Sequence, residues 1–133
     1  MSTLEQTRYG ITTESELPFD AAVERITAQL RDEGFGVLTT IDVQATLKQK
    51  LDVTTEPYVI LGACNPPLAH QALTAEPEIG LLLPCNVIVY QRDGRTHVAV
   101  MDPAAAMGIV ENSALTPVGT EARARLERAL ARL

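Results

Sequence analysis

The chain has 133 residues, of which 46% are hydrophobic and 21% charged, and its formal net charge is −6. This length fits one domain with a buried core, and the composition excludes a disordered chain. The acidic balance argues against a general nucleic-acid or anionic-membrane binder, because such proteins need a basic face.

The sequence has no signal for secretion, membrane insertion or a disulfide framework. Its first residues, MSTLEQTRYG, lack the apolar core of a signal peptide, and no apolar run reaches the roughly 18 residues of a membrane span. Two cysteines are too few for a disulfide framework. We therefore expect a cytoplasmic protein that forms one domain over residues 1–133, with no membrane and no nucleic-acid partner.

The first part of the chain predicts a strand, an amphipathic helix and a second strand. Residues 6–13 are rich in Tyr, Ile and Thr, which favours a strand. Pro18 suits the first turn of a helix, and apolar residues recur at helical spacing from Phe19 to Leu30. Residues 35–41 are again rich in β-branched side chains and predict the second strand.

Two further helices and a central strand are predicted next. Asp42 suits the N-cap of a short second helix. Residues 58–63 form a continuous apolar run, which predicts a buried central strand. Asn65 and Pro66 then predict the N-terminus of a third helix. The apolar residues 79–83 fit either a short helical turn or the entry to a strand.

A β-hairpin is the strongest short-range prediction. Asp93-Gly94 lies between two apolar runs and favours a type I′ turn, which places Tyr90 opposite His97. The strand alternation then divides the hairpin into two faces. The face expected under helices holds Cys85, Val87, Val89, Val98 and Val100. The other face holds Asn86, Ile88, Tyr90, His97, Ala99 and Met101.

The last part of the chain predicts two more helices and completes the fold class. Asp102-Pro103 suits the start of a short helix, residues 111–117 a loop, and Thr120 the N-cap of a C-terminal helix. We predict a single compact α+β domain, with a mixed sheet of about five strands covered by helices. The predicted core contains Val23, Ile26, Leu30, Ile60, Val87, Val89, Val98 and Val100.

The two cysteines mark a candidate ligand-binding site of four residues: Cys64, Asn65, Pro84 and Cys85. A cysteine just before a helix N-terminus favours the thiolate, which suits a reactive or ligand-binding thiol. The competing interpretation is that small buried thiols fill tight strand ends. Parallel strands would separate the two cysteines, whereas antiparallel strands would bring them together.

A metal site is not predicted. It would need to combine the two cysteines with His70 and perhaps His97, and these residues match no tight metal-ligand spacing. Phosphate-loop, nucleophile-elbow, His-Glu-x-x-His and Cys-x-x-Cys motifs are also absent from the sequence. We predict no metal and no cofactor.

The order of these motifs resembles a known family. The runs Val59–Pro66 and Leu82–Tyr90, followed by Asp93-Gly94 and Asp102-Pro103, resemble the "domain of unknown function 302" family of bacteria and archaea. The resemblance covers nearly the whole chain and implies a compact α+β fold that commonly pairs into dimers. It implies no catalytic residue. Many members carry Gly-Asn-Pro where this chain has Cys64-Asn65-Pro66, so the cysteines are not expected to serve a family-wide thiol chemistry.

Two functional hypotheses follow. The first is a non-enzymatic, dimeric small-ligand-binding or interaction module. The alternative is a thiol-dependent enzyme or sulfur carrier that uses Cys64 as its nucleophile. The second face of the hairpin combines apolar and polar side chains, which suits a homodimer interface. The candidate interface residues are Asn86, Ile88, Tyr90, His97 and Met101.

Overall fold

The computed structural model describes residues 3–133, which form one sheet with helices. The six strands are β1 Glu5–Gln6, β2 Gly10–Ser15, β3 Gly36–Asp42, β4 Tyr58–Cys64, β5 Cys85–Arg92 and β6 Arg95–Met101. The five α-helices are α1 Phe19–Asp32, α2 Val43–Leu51, α3 Pro66–Ala75, α4 Pro103–Val110 and α5 Thr116–Ala131. Two 3-10 turns, Pro77–Leu82 and Ser113–Leu115, complete the chain.

The sheet confirms the α+β class and corrects its details. All neighbouring strands are antiparallel, in the order β1-β2-β6-β5-β4-β3, so the sheet has six strands and is not mixed. The predicted strand at residues 6–13 is in fact a hairpin, because the amide of Thr7 donates to the carbonyl of Gly10 and turns the chain. That turn creates the sixth strand.

The predicted hairpin and caps are confirmed. Tyr90 pairs with His97 as the Asp93-Gly94 turn requires, and both turn residues have positive φ. Asp42, Asn65 and Asp102 each accept a hydrogen bond from a backbone N–H in the first turn of α2, α3 and α4.

The start of the C-terminal helix was predicted wrongly. Helix α5 begins at Thr116, four residues before the predicted cap Thr120. Pro117 lies in the first turn, where a proline costs no hydrogen bond, so it does not mark a loop.

The core lies between α1, α5 and one face of the sheet. Ile26, Leu30 and the four hairpin valines are at most 2% exposed, as predicted. Val23 and Ile60 are only half-buried. In β4 the side chains alternate, so Val59, Leu61 and Ala63 face the helices instead. An apolar run alone does not show which of its two faces is covered.

The opposite side of the sheet is here called the open face. The register places its residues in rows across the strands. One row is Ile41, Ile60, Ile88, Ala99 and Thr12. A second row is Tyr58, Tyr90, His97 and Glu14. Asn86 and Met101 lie on the same face, towards α4.

Candidate functional site

The four residues of the predicted ligand-binding site lie together where β4 ends and β5 begins. The strands are antiparallel and Ala63 pairs with Cys85, so the two cysteines are neighbours. Strand alternation directs Cys85 to the helix side and Cys64 to the open face. Both thiols are free.

Two of these four residues, Asn65 and Cys85, have structural roles. Asn65 is 5% exposed, and its Oδ1 accepts the N–H of Leu68 at 3.2 Å, which caps α3. Burial and, to a lesser extent, the neighbouring Cys64 together raise the pKa of Cys85 to about 11. Cys85 therefore remains a protonated thiol at neutral pH, which does not suit a nucleophile.

Pro84 packs closely on the sheet. The Leu83–Pro84 peptide is cis, and a Cβ added to Gly62 would lie 2.9 Å from Pro84 Cγ. Thr39 approaches Gly62 from β3 in the same way. A side chain at position 62 would therefore collide with both neighbours.

The open face carries a stack of three rings from three strands. The ring centroids of Tyr58 and Tyr90 are 5.3 Å apart, and those of Tyr90 and His97 are 5.0 Å apart. The planes differ by 19° and 18°, so the rings stand side by side on the sheet. Tyr58 extends the site beyond the hairpin residues that the sequence indicated, because β4 lies beside β5.

The third tyrosine of the chain, Tyr9, also acts electrostatically on Tyr58. Burial raises the pKa of Tyr58, and the hydroxyls of Tyr90 and Tyr9 raise it further. Tyr9 lies in the turn before β2, far from Tyr58 in the sequence. The strand order alone brings these phenols near one another, so no local motif could have predicted it.

The charges of the open face lie at one end. Glu14 is 3.3 Å from the Arg95 guanidinium and 4.0 Å from His97 Nε2. A groove of about 1000 Å³ opens at this end, lined by residues of β2, the hairpin and α1 that include Arg25. The centre of the face, from Ile41 to Ala99, holds apolar side chains.

The five predicted interface residues do share the open face, as the register requires. Asn86 is exposed, whereas Ile88, Tyr90, His97 and Met101 are half-buried. Their role in an interface stays a prediction. His70 is exposed on α3.

Within residues 3–133, no group of three or more His, Cys, Asp or Glu side chains could hold a metal ion. No helix in this part of the chain has the length and apolar character needed to cross a membrane.

The comparisons with known proteins agree with the fold. The family described as "Domain of unknown function DUF302" matches residues 11–133. The chain belongs to this family. It is also similar to the crystal structure of an uncharacterized conserved DUF302 protein from Bacillus stearothermophilus, at 31% identity and a TM-score of 0.89. The match covers 95% of this chain and 98% of that one. No curated protein matches the chain.

Proposed function

We propose that the chain is a non-enzymatic interaction module whose open face pairs with the open face of a second copy. The observation that carries this proposal is that helices cover only one of the two faces of the sheet. Helices α1 and α5 pack on one face, while Ile60, Ile88 and the stack of Tyr58, Tyr90 and His97 lie on the other. An apolar and aromatic patch with a polar rim is typical of protein interfaces.

The charge distribution favours a second copy as the partner. Glu14 and Arg95 lie at one end of the open face, and the row from Ile41 to Ala99 is uncharged. A two-fold axis that lies in the interface and runs across the strands along the row from Ile41 to Ala99 places apolar residues on apolar residues. This axis also moves the charged end of each copy away from that of the other, so no like charges are buried. Closed two-fold pairing is the commonest form of oligomer.

Light scattering of the purified chain tests the homodimer. Open-face pairing by itself gives twice the mass of the 14.4 kDa chain, and Tyr90→Glu and Asn86→Arg should each halve the mass of the wild type. Asn86 is exposed, so Asn86→Arg places a charge on the face without disturbing the core. Leu81→Arg, at an 83% exposed residue outside the sheet, is the control and should keep the mass of the wild type.

A wild-type mass that does not respond to Asn86→Arg would overturn the open-face pairing. Circular dichroism distinguishes dissociation from unfolding, because a folded monomer retains its helical signal. A cytoplasmic location suits the two free thiols and is part of the proposal.

A small polar ligand is a second candidate function. The groove of about 1000 Å³ favours it, because Arg25, Arg95 and His97 line it together with Glu5, Glu14 and Glu16. Groups of both charges suit a zwitterion, so a thermal-shift screen of amino acids tests this candidate, and Arg25→Ala should abolish any shift. Thiol chemistry at Cys64 has no comparable support, since within residues 3–133 its side chain makes no hydrogen bond.

A further inference from the structure

The two edges of the sheet are protected very differently. At one edge, β2 is paired with the two-residue strand β1, Glu14 lies within β2 and Glu16 directly follows it. Short edge strands and charges are common means of preventing edge-to-edge pairing. At the other edge, β3 has seven residues and, within residues 3–133, no strand neighbour on its outer side.

Strand β3 lacks the residues that protect an edge. Its sequence, GVLTTID, holds no proline and no charge before Asp42. Leu38 is 68% exposed and Ile41 is 50% exposed. A bulge at Leu38 interrupts the pairing with β4, and because bulges also hinder edge pairing, the regular edge is limited to the segment 39–42.

Exposed apolar side chains are concentrated next to this edge. Eight large apolar residues are exposed within residues 3–133, and four of them lie in β3 and the α2 region that follows it: Leu38, Ile41, Leu51 and Val53. The remaining four are scattered over other elements, so the exposed apolar surface extends from Ile41 on the open face to Leu38 at the bulge and to Leu51 and Val53 in the α2 region.

We propose that the outer edge of β3 pairs with β3 of a second copy, in antiparallel register, to form one continuous sheet of twelve strands. A pairing centred on Thr40 places Thr39 of each copy opposite Ile41 of the other. Both residues project to the open face, so the two sheets keep the same orientation. Unpaired backbone groups on each edge would then gain hydrogen-bond partners.

The charge of Asp42 in β3 is compatible with pairing to a second copy. In this register the two Asp42 carboxylates lie at opposite ends of the paired segment, about 13 Å apart at 3.3 Å per residue. This separation exceeds the Debye length of roughly 8 Å at physiological salt, so their repulsion is screened. The edge pairing uses a different surface from the open face and does not depend on the proposed function.

Thr40→Lys tests the edge specifically. Thr40 is exposed and pairs with Leu61, so it points away from the open face. In the register centred on Thr40, Thr40 of one copy lies directly opposite Thr40 of the other. The variant would therefore place two lysines opposite each other. Thr54→Lys makes the same change in the exposed loop after α2 and serves as the control.

Four proteins measured by light scattering separate the two surfaces. With both pairings present, the wild type has four times the mass of one chain, and Thr40→Lys and Asn86→Arg each have twice that mass. The double variant has the mass of one chain. If only the edge pairs, the wild type is a dimer that Thr40→Lys dissociates and Asn86→Arg leaves intact.

Hydrogen exchange provides a direct readout of the strand pairing. In the Asn86→Arg background, protection of those amides within residues 39–42 that point away from β4 should rise with protein concentration, and Thr40→Lys should remove this rise. A mass that is the same for the wild type and Thr40→Lys would overturn the proposal. So would β3 amides whose exchange is independent of concentration, as expected if this edge serves a foreign peptide.

Discussion

Thr55 has the one buried side-chain polar atom without a hydrogen-bond partner among residues 3–133. Its Oγ1 loses hydration on folding and gains no hydrogen bond in return, although its backbone carbonyl accepts a bond from Gln44. Such a group destabilises the folded state. This cost cannot be found from the sequence, because threonine is common in loops.

Replacing Thr55 with valine should therefore leave stability unchanged or increase it by up to about 1 kcal/mol, since the shape is kept and the unpaired hydroxyl is removed. Urea denaturation measures the change. Thr27→Val is the matched control, because the Thr27 hydroxyl donates to the carbonyl of Val23 at 2.7 Å. The control should lose about 1 kcal/mol. A similar loss at Thr55 would contradict the assignment.

Cys85 has a predictable effect on stability at alkaline pH. Burial raises its pKa from 9.0 to about 11 in the folded chain. Below pH 9 the thiol is protonated in both states, so the free energy of unfolding does not vary with its titration. Between pH 9 and about 11 the unfolded chain loses the proton more readily, so stability falls as the pH rises.

Cys85→Ser should flatten the decline in stability over this pH range, whereas Cys64→Ser should retain the Cys85 contribution. Denaturation curves at several pH values measure the difference. Equal slopes for Cys85→Ser and the wild type would refute the raised pKa.

No disulfide is expected between Cys64 and Cys85, because their side chains project to opposite faces. Labelling of the denatured, unreduced chain should therefore recover both thiols.

At the scale of single elements, the Asp93-Gly94 turn fixes the β5–β6 register. Gly94 has φ of +78°, a conformation that costs residues with a Cβ roughly 1–2 kcal/mol. Gly108 lies inside α4, where glycine is less favourable than alanine by about 1 kcal/mol. An added Cβ meets no atom within 4 Å at either position.

The two alanine substitutions should consequently have opposite effects. Gly94→Ala should lower the free energy of unfolding by roughly 1–2 kcal/mol, and Gly108→Ala should raise it by about 0.5–1 kcal/mol. Because space is available at both sites, only backbone conformation distinguishes them. Thermal denaturation of the two variants provides the comparison, and a stabilised Gly94→Ala would argue against the type I′ turn.

Elements with local signals were predicted well. The Asp93-Gly94 turn determines its own strand register, and Asn65-Pro66 determines the start of α3. The prediction failed where one residue type suits two structures. Pro117 fits a loop as well as the first turn of a helix, and here it lies in the helix.

At the scale of the whole molecule, strand order was the missing information. The sequence indicates a half-polar face on the hairpin, but it does not place β4 beside β5 or β3 at the edge. Tyr58 and Ile60 therefore could not be assigned to the open face. Their neighbours Val59 and Leu61 are equally apolar, so the sequence of β4 does not show which of its two faces is covered by helices. The proximity of Cys64 and Cys85 also required the antiparallel order.

The placement of β2 has a consequence for how the chain is made. Strands β3, β4, β5 and β6 are neighbours in sequence order, so each can pair with its predecessor as it leaves the ribosome. Strand β2 ends at Ser15, yet its partner β6 begins only at Arg95. At roughly 5–20 residues per second, β2 and α1 wait on the order of ten seconds for that partner. During this interval the apolar side chains of Ile11, Ile26 and Leu30 have no complete core to enter, which makes the nascent N-terminal segment a natural client for a chaperone.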